Sequence, residues 1–188
     1  MSPIHRVLLV LTLCLAAGQS AWAQKVRLAT SQGDIVVQLD AAKAPKSVEN
    51  FLQYVKDGHY DGTIFHRVIA SFMIQGGGFD ESLKQKATRA PIALESRNGL
   101  SNARGTLAMA RTMVPDSATS QFFINVVDNP RLDAANSPDG NGYAVFGKVV
   151  AGMDVVDKIR AVPVGDRAGH QNVPQQPVVI KKATLEKN

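Results

Sequence analysis

Cysteine and tryptophan are almost absent from this 188-residue chain, which has one of each, Cys14 and Trp22. A single cysteine excludes a disulfide framework, an iron–sulfur cluster and a zinc–cysteine centre. The four histidines are also sparse, and no two stand at an H-x-x-x-H spacing that would seat a metal. There is no G-x-S-x-G elbow to present a serine nucleophile. Gly76-Gly77-Gly78 is not followed by Lys and Ser or Thr, so it is not a phosphate loop and reads as a tight bend after a strand. The longest apolar run, Val7 to Ala17, is interrupted by Thr12 and Cys14. It is shorter than the roughly 20 residues that span a bilayer. Charge of one sign is not concentrated either. The net charge of +5 comes from scattered Lys and Arg, unlike the clustered basic face of a nucleic-acid binder. An enzyme of this composition works without a nucleophile, a metal or a cofactor.

What is present is an ordinary globular balance, 45% hydrophobic and 20% charged. The N-terminus has the three parts of an export signal. His5 and Arg6 form the basic start, Val7 to Ala17 the apolar stretch, and Ala21-Trp22-Ala23 the small-residue cleavage site. Leu13 before Cys14 is too large for a lipoprotein signal. We expect residues 1–23 to be a cleaved leader and residues 24–188 a single domain. That domain would carry neither Cys14 nor Trp22, so its core alone must hold it.

Periodicity places the elements. Lys25 to Ala29 and Asp34 to Leu39 alternate about a Ser31-Gln32-Gly33 turn and read as a hairpin. Pro45 suits the first position of a helix whose buried face is Val48, Phe51, Leu52 and Val55, ended by Gly58. Thr63 to Ile69, Phe72 to Gln75, Gly105 to Arg111, Gln121 to Val127, Tyr143 to Val150 and Pro177 to Leu185 read as strands. Val155, Val156 and Ile159 predict a short second helix after Gly152. Residues 129–142 and 165–176, rich in Pro, Gly, Asn and Asp, read as loops. Many strands with two helices favour a closed sheet, because closure removes exposed edges.

The segment from Phe65 to Gly77 carries the chemistry. Arg67 interrupts an apolar strand, and alternation puts Phe65, Arg67 and Ile69 on one face with Ile64, His66 and Val68 on the other. Met73 and Gln75 share a face, as do Gln121 and Phe123. Together they would make an apolar pocket with a few placed donors, the usual form of a ligand site.

Four ordered motifs then resemble the cyclophilin family of peptidyl-prolyl cis-trans isomerases. They are F-H-R-V-I-x-x-F-M-I-Q-G-G at 65–77, G-T-L-A-M-A-R at 105–111, S-Q-F-F-I at 120–124 and F-G-K-V at 146–149. The resemblance runs from about Val26 to Leu185 and is closest to the bacterial periplasmic branch. It implies a mainly β fold, an eight-stranded antiparallel barrel capped by two helices, with Ile92 to Glu95 as an extra strand. By motif, Arg67 matches the catalytic arginine. Phe72, Met73, Phe123 and Leu132 match the lining of the proline pocket. Gln75 and Gln121 match groups that bind the substrate backbone, with Gln75 orienting Arg67 or the substrate carbonyl. Ala110, Arg111 and Thr112 match the segment along which the peptide lies. Tyr143 stands where many members carry His, Arg111 where many carry Asn, and Ala70-Ser71 where Pro-Gly is common. Arg131 replaces an aromatic residue, which argues against strong cyclosporin binding. His66 is read as structural.

The implied function is cofactor-free isomerisation of X–Pro bonds in exported proteins, assisting their folding in the periplasm. The expected partners are proline-containing polypeptides, with no nucleic acid, no stable membrane association after leader cleavage, and a monomeric state. The alternative is a chaperone or proline-peptide binding module in which turnover is incidental. A secreted hydrolase is disfavoured by the missing nucleophile.

Overall fold

The structure, a computed structural model, describes residues 24–186. The expected leader, residues 1–23, lies outside the described residues.

Strands β1 (Lys25–Thr30) and β2 (Gly33–Leu39) form the expected hairpin. Alternation in β1 buries Val26 and Leu28 and leaves Lys25 and Arg27 outside. Helix α1 (Pro45–Lys56) begins at Pro45 without a side-chain cap from Ala44. Its free N–H groups are met from a distance instead. The Glu95 carboxylate accepts from Lys46 N at 3.0 Å and Ser47 N at 2.8 Å, and its charge also suits the helix N-terminus.

Strands β3 (Thr63–Ile69), β4 (Met73–Asp80), β5 (Thr106–Met109), β6 (Phe122–Asn125), β7 (Val145–Ala151) and β10 (Val179–Leu185) complete a closed barrel with β1 and β2. The order around it is β1-β10-β3-β4-β6-β5-β7-β2, and every neighbouring pair is antiparallel. Helix α2 (Met153–Arg160) follows β7. Both helices contribute their apolar faces to the main core, Val48, Phe51 and Val55 from α1 and Val155, Val156 and Ile159 from α2. In the same core Phe51 packs edge-on against Phe122 at 5.5 Å. The expected mainly β barrel with two helices is therefore what forms.

Four local expectations are corrected. Ile92–Glu95 is not a strand; Ile92 makes one isolated bridge to Ala118. The eight barrel strands were already accounted for without it. Residues 165–176 are not a plain loop. They hold a second hairpin, β8 (Val164–Arg167) and β9 (His170–Pro174). It lies against β3, where Val173 packs with Ile64 and Leu83. Gly76, Gly77 and Gly78 do not turn the chain but continue β4. At Gly78 a Cβ would lie 2.5 Å from Gln121 Cγ, so glycine permits a close approach there.

The fourth correction bears on the site. Strict alternation in β3 fails, because the register with β4 shifts between Phe65 and Arg67. Phe65 pairs with Gly76 and Arg67 with Gln75, so two steps on β3 face one on β4. This is a bulge, and a bulge exchanges the faces beyond it. Phe65 and Val68 both enter the main core, whereas Ile69 packs on a different cluster and Arg67 reaches Gln75.

Candidate active site

The site forms on the face of β4, β5, β6 and β7 that points away from the main core. Period-two alternation sends Ile74, Leu107, Phe122 and Ile124 inward. The residues between them make a second apolar cluster: Met73, Ala108, Phe123 and Val145 at its base, with Ile69, Phe72, Ala110, Leu132 and Tyr143 packed around. Thus Phe72, Met73, Phe123, Leu132 and Tyr143, five residues from four parts of the chain, meet at one place.

Polar groups border this cluster. Arg67 and Gln75 are register partners across β3 and β4, and Gln75 faces Phe123 across β4 and β6. Arg67 Nη1 points to Gln75 Oε1 at 3.4 Å, and Gln75 Nε2 donates to Gln121 Oε1 at 2.9 Å. Among the described residues Arg67 has no carboxylate partner, and it is half-buried. Its remaining N–H groups are therefore available for a ligand, while the amide at one end limits its swing. Burial beside an apolar surface strengthens the field of such a charge.

Ala110 N donates to Gln121 O at 3.0 Å, which fixes the segment 110–112 beside the rail of amides. Thr112 is exposed, and its hydroxyl bonds Ser117 Oγ at 2.8 Å. The Arg111 side chain takes another course. It is only 2% exposed and ion-paired to Asp139 at 2.5 Å. Arg131 sits exposed on a one-turn 3-10 helix, Pro130–Leu132, whose last residue supplies Leu132 to the pocket.

Sequence reasoning missed the groups that hold the pocket walls. Asn129 Nδ2 donates to Phe72 O at 2.9 Å and to Asn125 Oδ1 at 2.7 Å. Fully buried Asn125 donates in turn to Thr106 Oγ1 and Asn102 Oδ1, and Asn102 donates to Asp133 Oδ1. Burial pushes the Asp133 carboxyl up, but bonds from Ser101 and Asn102 outweigh it and leave the group below its usual value. These bonds tie Phe72 to the turn that bears Leu132. The signal was legible: Asn125 is the one polar residue inside the apolar run Phe122 to Val127.

His66, the neighbour of Arg67, faces the hairpin side. Its ring lies 4.6 Å from Phe79 and 6.3 Å from His170, and its Nδ1 finds no partner among the described residues. Burial first, then the neighbouring His170 and Arg67, push its pKa down to about 4. Among the described residues no three His, Cys, Asp or Glu side chains come together as a metal site.

A closed barrel whose outer wall carries an apolar cluster bordered by an arginine and two amides suits a peptide-binding barrel of the proline-isomerase kind. A model of the family described as cyclophilin type peptidyl-prolyl cis-trans isomerase/CLD matches residues 25–185. The chain belongs to that family, and its enzymatic class is peptidyl-prolyl cis-trans isomerase. It is 60% identical over 161 residues to a peptidyl-prolyl cis-trans isomerase of Streptomyces antibioticus, covering 85% of this chain and 97% of that one. It is 57% identical over 157 residues to peptidyl-prolyl cis-trans isomerase B of Escherichia coli, covering 83% and 96%. Among solved structures it resembles a cyclophilin-type isomerase of Cryptosporidium parvum crystallised in the presence of the dipeptide Ala-Pro. That match has a TM-score of 0.75 at 30% identity and covers 88% of this chain and 100% of the other.

Proposed function

We propose that this isomerase turns X–Pro bonds of exported polypeptides at the Arg67 site and thereby assists their folding. The observation that carries the reading is the chain Arg67–Gln75–Gln121 running beside the Met73–Phe123 pocket.

Rotation about an amide costs about 18–20 kcal/mol, because resonance is lost. The two X–Pro isomers are close in energy, yet they exchange in tens to hundreds of seconds. The barrier is therefore the problem, and the equilibrium is not. In the twisted state the prolyl nitrogen regains its lone pair. A donor aimed at that nitrogen stabilises the twisted state alone, and so raises the rate instead of merely tightening binding. Arg67 suits this role because it stays charged and offers five donors in a plane. The ring enters the cluster of Phe72, Met73, Phe123, Leu132 and Tyr143. Gln75 holds the guanidinium, Gln121 holds Gln75, and the segment Ala110–Thr112 lies alongside the peptide backbone. No covalent step or net proton transfer is needed.

Magnitude limits what Arg67 does alone. A 10⁵-fold acceleration needs about 7 kcal/mol. One hydrogen bond to a charged group contributes about 1.5–3 kcal/mol. The remainder comes from a site already organised for the twisted state, in surroundings that screen poorly.

The export half of the reading rests on residues 1–23, whose pattern is that of a leader cleaved after Ala23. N-terminal sequencing of protein recovered from fractionated cells tests it; a start at Gln24 in the periplasmic fraction supports it, and an intact Met1 in the cytoplasm refutes it. The enzymatic half is tested by NMR exchange on a short Ala-Pro peptide, with catalytic amounts of the protein and of Arg67→Ala. Acceleration by the first and collapse with the second is expected. Folded wild-type protein that leaves exchange unchanged would refute the site assignment and favour a module that only binds.

A further inference from the structure

The Arg111 guanidinium is the most fully engaged charge on the candidate site. Nε donates to Gly142 O at 2.8 Å, Nη1 to Thr112 O at 2.9 Å and Nη2 to Asp139 Oδ2 at 2.5 Å. With the side chain 2% exposed, little of it is left for a peptide to touch. Its flat face instead covers the Tyr143 ring, 4.7 Å from centre to guanidinium carbon. Tyr143 in turn meets Phe123 edge-on at 5.6 Å, inside the apolar pocket.

The loop that Arg111 grips is built to be gripped. Asp139 also accepts from Ser137 Oγ, Asn141 N and Gly142 N. The Ser137 hydroxyl, the Asn141 amide and Arg111, in that order, hold the Asp139 carboxyl well below the usual carboxylate range. Gly142 lies so close to the preceding turn that a Cβ there would sit 2.6 Å from Leu132 O. Tyr143 N then donates to that same oxygen at 2.9 Å. A displacement of residues 139–143 is therefore passed to both Tyr143 and Leu132, one wall of the pocket.

We propose that Arg111 is a positioning residue, whose guanidinium clamps the 139–143 loop to the peptide-bordering segment 110–112 and so holds the Tyr143–Leu132 wall at the spacing a prolyl ring requires. The proposal rests on the isomerase reading of the site but assigns Arg111 a different part from Arg67. Tyr143 and Leu132 touch the ring in the planar and the twisted state alike. Loosening them weakens both states equally, which raises KM and spares kcat. Lysine has one ammonium and no flat face, so it cannot make the three bonds and cover the ring together.

The test measures kcat and KM for an Ala-Pro peptide by NMR line-shape analysis on wild type, Arg111→Lys, Asp139→Asn, Tyr143→Leu and the double variant Arg111→Lys/Tyr143→Leu. The Kd of the same peptide is read from a parallel titration. We expect KM and Kd to rise about fivefold to tenfold in Arg111→Lys, and less in Asp139→Asn, with kcat within about twofold of wild type. The double variant should lose less than the sum of the two single losses, because both changes act on one wall. Unchanged KM and Kd in Arg111→Lys would overturn the proposal, as would a fall in kcat at constant KM, which would place the guanidinium on the reacting bond. Additive losses in the double variant would overturn it too. If wild type binds the peptide without turning it over, the isomerase reading fails while the Kd series still decides the clamp.

Discussion

Acid should destabilise this fold most through His66, with His59, also lowered by burial, acting in the same direction. A free imidazole titrates near 6.5, and in the fold His66 is pushed down to about 4. The residue is 5% exposed, it packs against Phe79, and Arg67 and His170 are the charged or chargeable groups that face it. Its Nδ1 has no hydrogen-bond partner among the described residues, and the Ile64 backbone, which opposes the shift, is the smallest of the contributions. Between about pH 6.5 and 4 the unfolded chain binds this proton and the folded chain does not. Stability therefore rises with pH across that window and is lost as pH falls through it. Each factor of ten in proton affinity is worth about 1.4 kcal/mol, so the full loss is about 3 kcal/mol. That is a large part of the roughly 5–15 kcal/mol that holds a domain of this kind. The assay is urea unfolding at intervals from pH 7.5 to 4, on wild type and on His66→Leu. The variant removes the titrating ring yet keeps an apolar contact to Phe79. Carboxylates such as Asp80 and Asp139 titrate in both proteins and cancel in the difference. The two stabilities should lie within about 1 kcal/mol at pH 7.5 and diverge by about 3 kcal/mol in favour of the variant near pH 4. Parallel curves would refute the reasoning, since the buried neutral ring would then not be the source of the loss.

Other substitutions probe the site and its support. Arg67→Lys should keep the melting temperature but lose isomerase activity by at least about tenfold, because an ammonium lacks the planar fork; near-wild-type turnover would mean that charge alone suffices. Gly78→Ala should place a methyl on Gln121 Cγ and Cδ, displace that amide from Gln75, and lower turnover more than it lowers stability; equal turnover in the peptide assay would show that Gln121 does not hold Gln75 in place. Asn125→Ala should cost about 3 kcal/mol in urea unfolding, because Asn129, Asn102 and Thr106 lose a buried partner at once. A cost under about 1 kcal/mol would show that water replaces the amide.

The barrel was legible because its strands alternate cleanly. In β6 Phe122 and Ile124 go to the core while Phe123 goes to the pocket, and period two says so directly. The same rule failed in β3. The bulge between Phe65 and Arg67 is a property of pairing with β4, and no residue in F-H-R-V announces it. The hairpin β8–β9 was illegible for a related reason. Gly, Asp, Asn and Gln make up five of the eleven residues 164–174, and Ala168 and Asn172 stand at positive φ. Its order comes from packing on β3 through Val173, which local propensity cannot report.

The chain by itself determined the eight barrel strands and the two helix faces, because periodicity is a local property, and its four motifs named the pocket residues only through their resemblance to a family. Only the tertiary structure decided how those residues are aimed. The bulge turns Arg67 out toward Gln75 while its neighbour His66 is buried against the hairpin. The Asn102–Asn125–Asn129 chain ties Phe72 to Leu132, and the Asp139 loop turns Arg111 from a surface charge into a buried brace for Tyr143. Each of these joins parts of the chain far apart in sequence. Their physical content is the satisfaction of buried polar groups by distant partners, and such partners exist only once the barrel has closed.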